Sequence, residues 1–317
     1  MITFSLPTES WWLLAGIGGV LVTGSLVGGV LARTVRDERR RLGVANLNDR
    51  MRAWWVMVAV FVTAAAAGPE AATILFALLS FHALREFLTL TPTRRGDHRT
   101  LFWLFFAVIP AQYWLVYDRW YGLFTIFIPV WVTLLVAVRS IGQGDTRDYL
   151  ARVARIQWGI LVCVYFISHV PALLLLLPIP GYEGRNANLL FFLVAVVQLS
   201  DVFQYVWGKL CGRRPIAPLV SPKKTLEGFI GGGLTATAIG GALWWMTPFG
   251  FWQATGMAAV IVITGFFGGL VMSAIKRDRG VKDYGSLIEG HGGVMDRIDS
   301  ICFAAPVFFH LTRFYFT

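Results

Sequence analysis

Apolar residues run along this chain in blocks rather than in alternation, and the blocks approach the roughly 20 residues a bilayer-spanning helix needs. They lie near 11–32, 53–68, 71–90, 101–117, 121–138, 159–180, 189–210, 229–249, 252–275 and 300–316. The pattern predicts an all-α, polytopic membrane protein of about ten transmembrane helices. The second and last blocks are short for a hydrocarbon core of about 30 Å, which suggests tilted partners in one hairpin or partly re-entrant segments. Two later blocks are rich in glycine: Gly231, Gly232, Gly233, Gly240 and Gly241 in one, Gly265, Gly268 and Gly269 in the next. Small residues let helices approach closely in lipid, where hydrophobicity gives no drive for association. The expected organisation is an N-terminal transmembrane region (1–180) and a C-terminal catalytic region (181–317) built as a tight Gly-rich bundle.

Composition sharpens this picture. Of 317 residues, 56% are hydrophobic and only 15% charged, with a mean hydropathy of +0.63; a soluble domain carries about 25% charged residues. No long hydrophilic block exists, so any chemistry falls to the spans and their short loops. The formal charge of +10 would suit nucleic acid, but its distribution excludes that reading. With the N-terminus outside, the inside loops 33–52, 91–100, 139–157, 209–228 and 276–299 hold seven, three, four, five and five of the 28 Lys and Arg. Only Arg85, Arg119, Arg185 and Arg313 remain. That asymmetry follows the positive-inside rule and puts both termini outside, with every polar motif facing the cytosol from the cytoplasmic (inner) membrane. The N-terminal MITFSLPTES lacks a basic segment, so the first apolar block reads as a retained span rather than a signal peptide. Loop 33–52 reads as a basic, helical collar facing anionic lipid, or as a gate for an acidic headgroup. Cys163, Cys211 and Cys302 show no metal or redox spacing and read as small buried hydrophobes.

The densest polar stretch is Ser273–Ser300, where five cations, five carboxylates and a Gly-rich string surround His291. Such mixtures suit phosphate and metal chemistry. Asp296 and Asp299 stand three apart, on one face if the last helix begins near Met295, and could share a divalent cation. They could equally be helix N-terminal carboxylates that offset the macrodipole. Arg297 between them points elsewhere and pairs with a neighbour. His291 in its glycine setting reads as ligand-facing as readily as structural, and the scarcity of His and Cys speaks against zinc. Upstream, Asp201 lies well inside the seventh block and shares a helical face with Gln204, Tyr205 and Gly208. A carboxylate there costs about 2.5–3.5 kcal/mol on insertion scales, so it is read as lining a site. The loop Gly208–Gly228 supplies Lys209, Arg213, Arg214, Lys223 and Lys224 for phosphate oxygens. Ser221-Pro222, followed by Thr225 and Glu227, reads as a helix start beside two lysines, an anion site in its own right.

Taken together, Ser273-x-x-Lys276-Arg277, Lys282-Asp283-x-Gly285 and His291-Gly292-Gly293-x-x-Asp296-Arg297-x-Asp299 resemble the signature of the phosphatidate cytidylyltransferases (CDP-diacylglycerol synthases). Asp201, Tyr205, Gly208, Gly212 and the run Ser221-Pro222-x-Lys224-Thr225-x-Glu227-Gly228 match that family's second conserved region. The resemblance covers about residues 195–317. It implies a membrane enzyme that uses CTP and phosphatidic acid, releases pyrophosphate and needs Mg²⁺, with Asp296 and Asp299 on metal-site positions. The chain departs from the family at three points. Gly269 stands where a Gly-Asp-Leu aspartate is usual, Met272 replaces a frequent glutamate, and Glu289 replaces a proline before Gly290. Asp201, Asp283 or Glu289 could supply the missing negative charge.

On this reading a lipid phosphate oxygen attacks the α-phosphorus of CTP in line. Positioning and charge neutralisation do most of the catalysis. Asp296 and Asp299 hold metal, and Lys282 and Asp283 complete the catalytic group. Lys223, Lys224, Lys276, Arg277 and Lys282 bind phosphates, with Ser221, Thr225, Ser273, His291, Arg297 and Asp201 as further substrate contacts. Two alternatives stay open: a related transfer to another lipid or polyprenyl phosphate, and a transporter or lipid-binding scaffold of the same fold. Transporters often carry midplane charges in both halves; here the polar residues crowd into one half. Glycine-based packing permits a homodimer without requiring one.

Overall fold

The computed structural model describes residues 6–35, 37–141, 146–285, 287 and 292–317. Ten helices follow one another: α1 (Thr8–Thr34), α2 (Glu38–Ala67), α3 (Pro69–Leu90), α4 (His98–Tyr117), α5 (Tyr121–Ile141), α6 (Tyr149–Leu175), α7 (Ala187–Cys211), α8 (Leu226–Ala242), α9 (Phe251–Asp278) and α10 (Met295–Phe316). Among the described residues, eight of these are long and apolar enough to cross a membrane. The other two are α8, at 17 residues, and α10, whose first turn carries charge. The chain is a multi-pass, all-α membrane protein.

The second and last helices differ from expectation. They run 30 and 22 residues, so at 1.5 Å per residue each exceeds about 30 Å. They do not pair with one another: α2 lies against α1 and α3, whereas α10 lies against α9, α6 and α7. Hydropathy had cut both short because their first turns are charged, and those turns are helical nonetheless. The basic collar 38–52 is thus the solvent-side part of α2.

One apolar core joins α3 to α7, α9 and α10, from Phe76 through Ile160 and Phe192 to Phe309. The α1–α2 pair stays outside it and exposes most of its apolar surface, as lipid-facing helices do. Buried Ser10 of α1 nevertheless donates to Asn188 of α7 at 2.6 Å. In the C-terminal half, α8 crosses α7 with almost no gap. A Cβ built on Gly232 would collide with the backbone of Gln204, and one on Gly228 would lie 2.8 Å from the Gln204 carbonyl oxygen. Only glycine allows that crossing.

The loops gather at two ends. At one end Arg94 pairs with Asp148 at 2.8 Å, and Arg152 with Asp97 at 3.3 Å, the latter pair almost wholly buried. Here too Arg277 donates to the Val220 carbonyl at 3.3 Å, tying the α7–α8 connection to the last turn of α9. At the other end Arg185 pairs with Glu9, Tyr182 donates to the Met246 carbonyl and Arg313 to that of Leu176. This alternation follows the grouping of loops read from the charge distribution, and the polar motifs among the described residues lie at the first end.

A two-stranded antiparallel hairpin connects α7 to α8: β1 (Pro215–Ala217) and β2 (Ser221–Thr225), with Pro215 opposite Thr225 and Ala217 opposite Ser221. This corrects the reading of Ser221-Pro222 as a helix start. Residues 221–225 are extended, and α8 begins only at Leu226, where the Thr225 hydroxyl caps it by accepting from Gly228 N–H at 3.2 Å. Glu227 accepts from the N–H groups of Arg213 and Arg214 at 3.0 and 3.1 Å, folding the preceding strand back along its partner.

Candidate active site

Two polar clusters form at the loop-rich end, and they divide the predicted residues between them. The first surrounds the start of α10, whose leading N–H groups have no partner within the helix. Asp296 accepts Lys276 Nζ on one oxygen at 2.7 Å. Its other oxygen accepts the N–H groups of Tyr284 and Gly293, at 2.7 and 3.0 Å. The Lys276 ammonium also lies 5.4 Å above the Tyr284 ring, whose hydroxyl donates to the Met272 carbonyl. Both oxygens of Asp296 are therefore occupied by protein donors.

Beside it sits Glu86 of α3, which accepts the N–H groups of Val294 and Met295, each at 2.9 Å. A carboxylate across the first N–H groups is the favoured partner of a helix N-terminus. The glycines around it make the space. A Cβ on Gly285 would lie 2.8 Å from Glu86 Oε1, and one on Gly293 would overlap the same carboxylate. Gly292 has φ +84°, in the region that favours glycine, and its Cβ would approach Asp296 Oδ2 to 2.8 Å. Glu86 was missed at the level of sequence. The available signal was a carboxylate inside an apolar run, the same signal that marked Asp201.

The second cluster brings together residues distant in sequence. The Ser300 hydroxyl lies 3.4 Å from Asp201 Oδ1 and 3.5 Å from Asp299 Oδ1, and Ser300 N–H donates to that Asp299 oxygen at 2.8 Å. Asp201 from α7 and Asp299 from α10 thus face one another across a serine. Lys224 reaches in from β2, its ammonium 4.9 Å over the ring of Phe266. Burial holds its pKa below the ordinary lysine value, opposed by the charges of Asp201 and Asp299 and aided by that of Lys276. Gly269 forms the floor: a Cβ there would lie 2.7 Å from Lys224 Nζ and 3.4 Å from Ser300 Oγ. Arg297 stands close by, its buried Nε without a hydrogen-bond partner.

The remaining predicted residues lie around these clusters. Lys223, Lys282 and Asp283 are exposed, and Ser221 opens β2. Arg277 is spent on the carbonyls of Val220 and Val281, and the Ser273 hydroxyl bonds back to the Gly269 carbonyl at 2.7 Å. His291, with Glu289 and Gly290, lies outside the described residues. Two facing carboxylates and a hydroxyl are hard oxygen donors that fit Mg²⁺, which typically takes one or two carboxylates and leaves other positions to phosphate. No cluster of three or more His, Cys, Asp or Glu that could hold a metal exists among the described residues. The donor pair the geometry offers is Asp201 with Asp299, since Asp296 is already satisfied.

Comparison with known proteins agrees with this setting. The model of the cytidylyltransferase family matches residues 48–315. The chain is similar to the protein YnbB of Escherichia coli, described only as uncharacterized: 42% identical over 305 residues, covering 95% of this chain and 97% of that one. It is also similar to the phosphatidate cytidylyltransferase of Staphylococcus aureus, 38% identical over 130 residues, or 40% of this chain and 50% of that one. The enzyme of the same name from Aquifex aeolicus is 37% identical over 145 residues, 45% of this chain and 54% of the other. The match thus spans about half the length of these two named enzymes. With a family match across both halves of the bundle, the chain belongs to the cytidylyltransferase family and is a membrane-embedded nucleotidyltransferase.

Proposed function

We propose that the protein transfers a cytidylyl group from CTP to phosphatidic acid, giving CDP-diacylglycerol and pyrophosphate in phospholipid biosynthesis. The observation that carries this is the Asp201–Ser300–Asp299 group with Lys224, which joins the inner part of α7 to the first turns of α10 and to strand β2. A lipid phosphate arriving from the bilayer and a nucleotide arriving from water can both reach such a position. Positive-inside charge puts this end in the cytosol, where CTP is, and the membrane is then the cytoplasmic one.

A phosphatidate oxygen is already anionic near neutral pH, so attack on the α-phosphorus needs no strong general base. The bond from that phosphorus to the β-bridging oxygen breaks, and pyrophosphate leaves toward water. Lys224 and Arg297 neutralise phosphate oxygens. Lys276, Asp296, Tyr284 and Glu86 fix the start of α10, and with it Asp299 one turn on. Asp201 and Asp299 would hold Mg²⁺, which when bound would supply charge neutralisation on the α-phosphate of the transferred cytidylyl group. Exposed Lys223 and Lys282 offer further charge to the triphosphate.

A second reading keeps the cytidylyl transfer and changes the acceptor to another lipid or polyprenyl phosphate. It is favoured by Gly269, where the named family's usual aspartate is absent and the Lys224 ammonium fills the space. Purified protein given labelled CTP, Mg²⁺ and a panel of lipid phosphates decides between them. A CDP-lipid from phosphatidate supports the first reading. Product from a different acceptor alone replaces it, and lipid binding without turnover on any acceptor sinks both in favour of a scaffold.

A further inference from the structure

The facing pair Asp201–Asp299 already has a cation of its own. The Lys224 ammonium stands within electrostatic reach of both carboxylates and rests on the Phe266 ring. Among the described residues it donates no hydrogen bond and forms no close ion pair, so three N–H donors on a flexible stem are held near two acids without being spent on either. Arg297 acts on the same carboxylates and likewise has a buried, unused N–H. Lys276 also acts on Asp299 and brings its own partner Asp296, so three carboxylates against three cations leave the cluster close to neutral with no metal bound. A divalent ion entering it alone would meet positive groups that the carboxylates already balance.

What lets the lysine in is the absence of a side chain at position 269. A single Cβ there would stand 2.7 Å from Nζ, closer than real contacts allow. The group that must give way is the free end of a lysine, so any side chain at 269 evicts the ammonium at little cost to the fold. Gly269 and Lys224 therefore work as one device: the first empties a space, and the second fills it with charge.

We propose that Lys224 is an internal counter-cation of the Asp201–Asp299 site, that a divalent metal binds there only by displacing it, and that Gly269 is what admits it. The displaced ammonium needs acceptors, and phosphate oxygens are the natural ones. The free protein then binds metal weakly. Metal and a phosphate-bearing ligand strengthen one another's binding, with Lys224 as the carrier of that coupling in both directions. The proposal rests on the cytidylyltransferase reading only for its choice of a divalent cation as ligand.

The test is Mn²⁺ binding to the purified, detergent-solubilised full chain, read by electron paramagnetic resonance with no nucleotide or lipid present. Lys224→Met keeps the length and apolar contact of the stem and removes the charge. Gly269→Ala keeps the charge and moves it. Both are expected to bind Mn²⁺ at least tenfold more tightly than the unaltered protein, and the gain is expected to vanish when Asp299→Asn is added. Mn²⁺ binding that is unchanged or weaker in Lys224→Met overturns the counter-cation role. Tightening in Lys224→Met with none in Gly269→Ala overturns the part given to Gly269. Tightening that survives Asp299→Asn overturns the location. Because neither CTP nor an acceptor enters the measurement, its failure is distinct from a failure of the proposed reaction, which only turnover can refute.

Discussion

Replacing Glu86 by alanine removes the acceptor for two buried N–H groups at once. Val294 and Met295 are both buried, and each donates to Glu86 at 2.9 Å. A hydrogen bond to a charged group contributes about 1.5–3 kcal/mol net, and a carboxylate at a helix N-terminus adds about 0.3–1 kcal/mol through the macrodipole. Water will reach part of the vacated space and recover some of this, so the net local loss is expected to be about 2–4 kcal/mol. The loss falls on the first turn of α10, which carries Asp296 and, one turn on, Asp299. Hydrogen exchange with mass spectrometry on a peptide covering 292–300 reads it directly. At one decade per 1.36 kcal/mol, exchange should speed by roughly 30-fold to 1,000-fold. Glu86→Gln retains one good acceptor and turns an N–H₂ toward the other donor, and should fall between Glu86→Ala and the unaltered protein. As a positioning residue Glu86 should also lower kcat more than it raises KM in the alanine variant. Exchange in that peptide equal to the unaltered protein's, with kcat also unchanged, would refute the role given to Glu86.

Three further outcomes follow from other parts of the bundle. Asp97→Ala removes the carboxylate opposite the buried Arg152 guanidinium, which keeps the Arg147 carbonyl at 3.0 Å, and should cost up to about 3–5 kcal/mol, visible as a lower Tm in detergent; Asp97→Leu with Arg152→Met should recover most of the loss. Gly232→Val drives a side chain into the Gln204 backbone, where no rotamer relieves the clash. It should cost more than the about 1–3 kcal/mol typical of overpacking, with loss of folded protein on size exclusion. Gly269→Asp pushes the Lys224 ammonium from its present place and sets a third carboxylate near Asp201 and Asp299; turnover of phosphatidate is expected to rise, and unchanged turnover removes Gly269 from acceptor choice.

The helices were legible because their signal is local and long. Ten apolar blocks survive as ten helices, and the loops that the charge asymmetry groups together lie at one end of the bundle. The hydropathy spans stop at 53 and 300 because charge reads as the end of a span, whereas the helical reading of the 33–52 collar and a last helix beginning near Met295 agree with the structure. The 215–225 hairpin escaped for the opposite reason. Its strands are three and five residues long, too short for alternation to show, and Ser221-Pro222 is as good a helix start as a strand. Within the site, helical periodicity pairs Asp296 with Asp299, because three residues apart is the only geometry one segment displays. The structure sets Asp299 opposite Asp201, 98 positions earlier, and spends Asp296 on Lys276 and two backbone N–H groups. No spacing rule contains that exchange of partners. Glu86 escaped likewise: its partners are backbone groups 208 and 209 residues away, and backbone donors carry no residue type to search for.

Under the proposed function, the Asp201–Asp299 pair carries out cytidylyl transfer to a lipid phosphate. The most direct test is the formation of labelled CDP-diacylglycerol and pyrophosphate by purified protein from labelled CTP, phosphatidic acid and Mg²⁺, beside Asp201→Asn and Asp299→Asn. Product and pyrophosphate in equal amounts, reduced by at least a hundredfold in either variant that remains folded, is the predicted result. Undiminished turnover in both variants, or no product from any lipid phosphate with the unaltered protein, would contradict it.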